Sequence, residues 1–198
     1  MFKKIKKLII IFLVSSFYSS ICLSNDIKEF EIGEISVGKS LLEFVNENQI
    51  DFIRDSQQYP KDKYIIYDIT KILTIEGFDF VDVMTKKNDK KYIIVAISAA
   101  IYYDELDECL KLKTEIQKEI ESLFNANDKQ ETKFPSKQDS TGKSMVYGAQ
   151  YYTQPFPSNE AVIVNCYHMT KDSNIKRALR VSVNTHEYAS FIINELYD

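Results

Sequence analysis

The longest amphipathic pattern in the chain runs from Asp104 to Phe124. Its apolar side chains recur at spacings of three and four residues, which is typical of a helix that packs one face against a sheet. These side chains belong to Leu106, Cys109, Leu112, Ile116, Ile120 and Leu123. Acidic residues at the start of the segment suit the positive end of a helix dipole. The pattern therefore predicts one long helix.

Six apolar or alternating stretches predict β-strands, three before this helix and three after it. They are Tyr64–Ile69, Phe78–Met84, Tyr92–Tyr103, Met145–Tyr152, Ala161–Met169 and Ala178–Val183. The third stretch is too long and too apolar for an edge strand, so we expect it to be central and covered.

Helix patterns also occur near both ends of the chain. Ser36 is predicted to cap a helix that continues to Val45. Asn184 or Thr185 is predicted to cap a final helix, whose apolar face consists of Tyr188, Phe191, Ile192 and Leu196.

The order of elements is helix, three strands, long helix, three strands and helix. Consecutive strands joined by short turns pair in antiparallel fashion. We therefore expect an α+β fold, one antiparallel sheet with helices on one face, in which a duplicated strand-strand-strand-helix unit is an open alternative. Residues 25–198 form one domain in this prediction. The polar segment 125–143 is predicted to be a mobile surface loop that joins two candidate sub-units, 25–124 and 144–198.

The first 24 residues carry the pattern of a secretory signal peptide. Four lysines precede an apolar run from Leu8 to Val14 that continues to Phe17, and Cys22 and Ser24 supply small residues at the cleavage-determining positions. The run is shorter than the roughly 20 residues of a membrane span. We expect cleavage before about Asn25 and a periplasmic or secreted bacterial protein without a membrane span. An uncleaved anchor and a lipoprotein attached through Cys22 are the alternatives.

Cleavage would also change the charge of the protein. Without the four lysines of the leader, 21 basic residues stand against 29 acidic ones, a formal charge of −8. Such a surface repels the phosphates of nucleic acids and of anionic membranes. The composition therefore argues against a nucleic-acid partner.

Two cysteines remain after cleavage. Cys109 lies on the apolar face of the predicted long helix, and Cys166 alternates with Val162 and Val164 along a predicted strand, so both are expected to point inward. In an exported protein such a pair predicts a disulfide, which would close a loop of 57 residues. Two buried free thiols are the alternative. The pair lacks C-x-x-C spacing, so a catalytic dithiol is not expected.

The segment Gly33-Glu34-Ile35-Ser36-Val37-Gly38-Lys39-Ser40 matches the P-loop pattern of nucleotide-binding proteins. In that motif, glycine amides wrap the phosphates and the lysine pairs with their outer oxygens. Three observations count against it here: the preceding segment 26–32 is too charged for a buried strand, the strands come in threes, and the leader directs export. A helix start eased by Gly33 and Gly38 is the simpler interpretation.

Other candidate residues give weaker signals. His168 shares a face with Cys166, and His186 lies in the first turn of the final helix, but neither has an acidic residue at ligand spacing, so no metal site is predicted. Four tyrosines either line a ligand groove or form ordinary sheet packing. They are Tyr147, Tyr151, Tyr152 and Tyr167.

The run from Ile32 to Leu42 resembles the opening of an uncharacterised family of small exported bacterial proteins, in which a similar I-G-x-S-L-L stretch follows the signal peptide. In that family the position of Lys39 is often acidic, which would not suit a P-loop. The Cys109 helix, the Cys166 strand and the segment 179–183 look similar too. The resemblance implies export but no known activity.

These observations favour a non-catalytic periplasmic or secreted protein that binds a protein or envelope component through its sheet face or its tyrosine-bearing strands. No cofactor, metal or catalytic residue is predicted. The alternatives are an enzyme that acts on an envelope substrate through a site that the sequence does not locate, and nucleotide binding through 33–40.

Overall fold

The computed structural model describes residues 26–55, 63–123, 128–139, 141–155, 158–173 and 175–196, so the predicted signal peptide lies outside the described residues. The fold is α+β. A small hairpin is formed by β1 (Glu31–Ile32) and β2 (Ile35–Ser36). The main sheet contains β3 (Tyr64–Asp68), β4 (Phe80–Lys86), β5 (Ile94–Tyr102), β6 (Lys129–Pro135), β7 (Met145–Tyr152), β8 (Ala161–His168) and β9 (Ala178–Asn184). The helices are α1 (Ile50–Ile53), α2 (Leu106–Leu123) and α3 (His186–Asn194).

The main sheet has the strand order β3-β4-β5-β9-β8-β7-β6, and every neighbouring pair is antiparallel. All six predicted strands and the long helix are present, with their ends within two residues of the prediction. The pairing of β5 with β9 joins the two candidate sub-units into one sheet. The first seven residues of β5 are all buried, which agrees with its predicted central position.

The prediction that 125–143 is a loop is wrong for its middle part. Lys129–Pro135 form the edge strand β6, which pairs with β7 along its whole length. The strand lacks an apolar pattern because its side chains meet polar groups of α2: Lys129 contacts Glu121 at 2.8 Å, and Glu131 contacts Lys113 at 2.9 Å. The periodicity of apolar residues cannot detect such a strand.

The helix predicted after Ser36 is also absent. Ser36 lies in β2, and Gly38 adopts a positive φ of 88° that breaks the helical path. Ser40 instead caps a single 3-10 turn, Leu41–Glu43, through a capping box with Glu43. Leu41 and Val45 are nevertheless buried, because this irregular segment packs against the sheet.

The disulfide between Cys109 and Cys166 is confirmed. It links α2 to β8, with the two Cα atoms 6.0 Å apart across 57 residues of sequence. Both cysteines are almost fully buried, as the pattern of apolar residues predicted.

The two faces of the main sheet differ in what covers them. One face, which we call the covered face, includes Val83 and Ile97. It packs against the N-terminal segment, residues 26–55, and against α2. The opposite face includes Met84 and Ala96, and α3 packs there through Tyr188 and Phe191. The helices α2 and α3 therefore lie on opposite faces and do not share the one face that was predicted. Periodicity gives a helix an apolar side, but it does not say which face of the sheet that side will meet.

Helix α3 covers only one end of its face, over β3, β4 and β5. The remainder of that face, over β9, β8 and the end of β5 at Tyr102, carries Arg180, Ser182, Asn165 and Tyr167, which are all partly exposed. We call this remainder the open face, because none of the described helices packs on it. Among the described residues, no helix is both long and apolar enough to cross a membrane.

Candidate functional site

The open face contains a slot with a small residue at its floor. Ala178 begins β9, and its cross-strand neighbours are Tyr102 on β5 and Tyr167 on β8. Residues in register across a sheet point to the same face, so the two tyrosines flank the alanine methyl group. Adjacent strands lie about 4.8 Å apart, which places the two tyrosine Cα atoms roughly 10 Å from each other.

Two cations lie at the ends of this slot. Alternation along the extended chain places Lys176 and Arg180 on the same face as Ala178. The Lys176 Nζ lies 4.3 Å from the centroid of the Tyr102 ring, a cation–π contact. One guanidinium nitrogen of Arg180 donates a hydrogen bond to Ser98 Oγ at 3.3 Å.

Together with Gln138 and Ile175, these residues enclose a pocket of about 250 Å³. The chain as a whole has a formal charge of −4, yet none of the described residues that line this pocket is acidic. The pocket is therefore a local basic site on an acidic protein. We call it the tyrosine pocket.

A polar row lies beside the tyrosine pocket on the open face. Asn165 pairs with Arg180 across β8 and β9, and its Nδ2 donates to the hydroxyl of Tyr167 at 3.4 Å. Asn165 Oδ1 and Thr132 Oγ1 are buried and have no hydrogen-bond partner among the residues that the structure describes. Both atoms lie over Gly148, where they occupy the space that a Cβ would need.

A buried carboxyl group lies on the same face. Asp82 is 7% exposed, pairs with Ser98 across β4 and β5, and has an Oδ1 without a partner in the described part of the chain. Burial raises the pKa of Asp82 to about 7, against the opposing effect of the Arg180 charge. Asp82 does not line the tyrosine pocket.

The four tyrosines proposed from the sequence do not form one groove. Tyr147 and Tyr151 belong to the covered face, where the hydroxyl of Tyr151 donates to Glu121 Oε1 at 3.1 Å. Tyr152 and Tyr167 point to the opposite side, and only Tyr167 lines the tyrosine pocket. The sequence pattern does not indicate Tyr102 as a site residue, because its alignment with Tyr167 depends on pairing between strands far apart in sequence.

The two histidines are separate features. His168 lies at the end of β8 with Nδ1 buried and unpartnered within the described ranges, and burial lowers its pKa. His186 lies at the start of α3 and accepts a hydrogen bond from the backbone N–H of Asn159 at 2.9 Å. No cluster of three or more His, Cys, Asp or Glu residues suited to a metal occurs in the described segments.

The polar groups of the P-loop-like segment, residues 33–40, are bonded to other groups of the protein. The amide of Gly38 donates to the carbonyl of Ile94 at 2.8 Å. The Nζ of Lys39 contacts Glu31 at 2.8 Å and the carbonyl of Glu34 at 3.0 Å, and the hydroxyl of Ser40 donates to the carbonyl of Lys91 at 2.6 Å. The amide, ammonium and hydroxyl that a P-loop offers to phosphate and magnesium are thus bonded to protein oxygens.

A second, larger groove of about 930 Å³ lies near the start of α3. Two of its lysines pair with acids: Lys86 with Glu187 at 2.7 Å, and Lys63 with Glu195 at 3.0 Å. Exposed pairs of this kind are typical of an ordinary solvated surface. The tyrosine pocket is therefore the stronger candidate.

Comparisons of the chain with protein-family models, with curated proteins and with solved structures find no match. The resemblance to small exported bacterial proteins stays a prediction.

Proposed function

We propose that this protein is an exported, non-catalytic binding module that recognises a protein or envelope component through the tyrosine pocket. The observation that carries the proposal is the arrangement of two cations and two tyrosines around Ala178 on the open face. Tyr102, Tyr167 and Arg180 belong to three adjacent strands of a seven-stranded sheet, so this part of the site is preorganised and loses little entropy on binding. Lys176 precedes β9 and contacts the Tyr102 ring.

Export is part of the same proposal. The Cys109–Cys166 disulfide supports it, because disulfides form and persist in oxidising compartments outside the cytosol. A leader cleaved before about Asn25 would deliver the protein to the periplasm or the medium.

The chemistry of the tyrosine pocket favours binding over catalysis. The described residues that line it contribute two cations, two phenols and the amide of Gln138 as polar groups. Such groups hold and orient a ligand, whereas nucleophilic catalysis calls for a nucleophile in contact with a base. The proposal therefore assigns recognition to this site, without a cofactor.

An enzyme acting on an envelope substrate is the second candidate, and one observation favours it. Asp82 is a buried carboxyl group with a pKa near neutrality, and perturbed acids of this kind occur often at catalytic sites. Assays on a broad panel of hydrolase substrates would test it. Turnover that is lost in the Asp82→Asn variant would favour the enzyme and overturn the binding-module proposal.

Nucleotide binding through 33–40 is tested separately, by titration of ATP and Mg²⁺ against the wild type and the Lys39→Ala variant. Equal null results for the two proteins would remove this third alternative.

Site-specific photo-crosslinking tests the proposed function. A benzophenone amino acid replaces Tyr102 at the pocket rim, and in a control protein it replaces Lys118, an exposed residue of α2. Each protein is illuminated with an envelope fraction of the producing cells. We expect adducts with envelope components from position 102 and not from position 118. No adduct at 102, or the same adducts at both positions, would contradict the proposal.

A further inference from the structure

We propose that the tyrosine pocket binds a single sugar ring that carries an anionic group, a carboxylate or a phosphate. This inference rests on the proposed function, because it names the ligand class of the same site.

The size of the pocket limits the ligand to one ring. Its volume of about 250 Å³ falls just below the roughly 300 Å³ at which pockets for drug-sized molecules begin. The pocket is also bounded at both sides by the tyrosines and at both ends by the cations. A single ring or the terminal unit of a longer chain fits these limits.

The walls favour a saturated ring with polarised C–H bonds. Aromatic rings present negative faces, which attract the positive edges of a ligand. One face of Tyr102 already contacts Lys176 Nζ, so this attraction concerns its other face and the Tyr167 ring. Tyr102 and Tyr167 flank the Ala178 floor at a Cα separation of roughly 10 Å. Two phenol hydroxyls and the amide of Gln138 add hydrogen-bonding groups suited to the hydroxyls of a sugar. Tyr102 remains 39% exposed, although it is a large aromatic residue in the sheet.

The ends favour a negative charge. Arg180 donates a hydrogen bond to Ser98, and a guanidinium has five N–H donors in a planar fork that matches carboxylate and phosphate. Lys176 is held over the Tyr102 ring. None of the described residues that line the pocket is acidic, so an anion would supply either cation with a counter-charge, whereas a neutral sugar would not.

The test is a titration of the purified, disulfide-bonded protein, followed by NMR of its backbone amides. The probes are glucuronate, glucose 6-phosphate, glucose and inorganic phosphate. We expect saturable shifts at Tyr102, Tyr167 and Arg180 with one or both acidic sugars, and binding at least about tenfold weaker for glucose and for phosphate alone. Selectivity between the two acidic sugars identifies the anionic group.

Matched variants locate the binding groups. Arg180→Gln and Lys176→Gln each keep a polar side chain and remove a charge, and each is expected to weaken acidic-sugar binding about tenfold. Lys118→Gln makes the same change on α2 and is expected to leave binding unaltered. The thermal unfolding midpoint of each variant shows whether its fold is intact.

Equal binding of glucose and glucuronate, no saturable shift with either acidic sugar, or shifts confined to other parts of the protein would overturn the inference. So would variants at Arg180 and Lys176 that remain folded and bind like the wild type. If acidic sugars fail while position 102 still forms envelope adducts, the ligand class is wrong and the binding-module proposal stands. If acidic sugars bind but position 102 forms no adduct, the inference on ligand class stands and the proposal of an envelope partner is wrong.

Discussion

Tyr102 and Tyr167 lie on either side of Ala178, one on each of the two strands that flank β9. Their alignment is a consequence of strand register. Since side chains alternate between the faces of a sheet, a shift of β9 by one residue would send Ala178 to the covered face and replace it with a larger neighbour. The floor of the tyrosine pocket therefore depends on one small residue at one position.

Replacing that residue should close the pocket. We expect Ala178→Leu to reduce binding of an acidic sugar by more than about tenfold, because the added carbons occupy the space between the two rings. The overpacking cost in stability is expected to be about 1–3 kcal/mol. Binding is measured by the amide titration and stability by urea unfolding. A folded Ala178→Leu protein with wild-type binding would show that the ligand does not enter between the tyrosines.

The disulfide should contribute much of the stability. Removing the Cys109–Cys166 bridge frees a loop of 57 residues, and the chain-entropy estimate for that loop is about 4 kcal/mol. We expect Cys109→Ala/Cys166→Ala to lower the free energy of unfolding in urea by about this amount. Reductant should destabilise the wild type similarly and leave the double variant unchanged. A wild type unaffected by full reduction would contradict this role.

Asp82 should make stability depend on pH. Its pKa in the folded protein, about 7, lies above the ordinary value of 3.8 for an aspartate, so between these values the folded state holds a proton that the unfolded state has lost. Stability should therefore fall as pH rises from about 4 to about 7 and then level off, by up to roughly 4 kcal/mol from this group. The charges that act on it are Arg180 and Lys71, which favour ionisation, and Asp55 and Asp68, which oppose it.

The Asp82→Asn variant isolates this effect. It should be more stable than the wild type at pH 8 and lack this part of the pH dependence, as measured by urea unfolding at a series of pH values. A wild type and an Asp82→Asn variant with parallel pH profiles would show that Asp82 ionises normally.

An ion pair joins α2 to β6, and the loss of stability on breaking it should depend on which of its two residues is replaced. Lys113 is 7% exposed and contacts Glu131 at 2.9 Å. Glu131→Gln would leave this buried ammonium without its counter-ion, so we expect a loss of about 1–3 kcal/mol. Lys113→Met should cost less, because the side chain of Glu131 is 53% exposed and can be solvated. Urea unfolding of the two variants checks the order, and the reverse order would refute it.

Acid should weaken the same contact. Burial alone would raise the pKa of Glu131, but hydrogen bonds from Lys113, Lys129 and Gln117 hold it at about 2, below the ordinary value of 4.5 for a glutamate. The stability from this group is present above about pH 4.5 and is lost as pH falls towards 2. Glu131→Gln should remove that part of the acid sensitivity.

The sequence alone was sufficient for features that depend on local pattern. The strands and α2 follow from the periodicity of apolar residues, and Cys109 and Cys166 could be paired because both lie on apolar faces. The sequence alone was insufficient where the structure of a segment depends on the residues that it packs against. Lys129–Pro135 form a strand because their polar side chains meet α2, and the apolar side of α3 fits either face of a sheet.

The tyrosine pocket illustrates the same limit. Lys176, Ala178 and Arg180 alternate visibly in the sequence. Their significance depends on Tyr102 and Tyr167, which come from strands distant in the chain and are aligned only by the register of the folded sheet.

The most direct test of the binding-module account is hydroxyl-radical footprinting of the protein with and without the envelope fraction, read by mass spectrometry. Phe52 is the internal control, because it is 64% exposed and is not part of the tyrosine pocket. The account predicts that Tyr102 and Tyr167 become protected while labelling of Phe52 stays constant. Protection of Phe52 with unchanged labelling of both tyrosines would contradict the account and move the binding surface away from the open face.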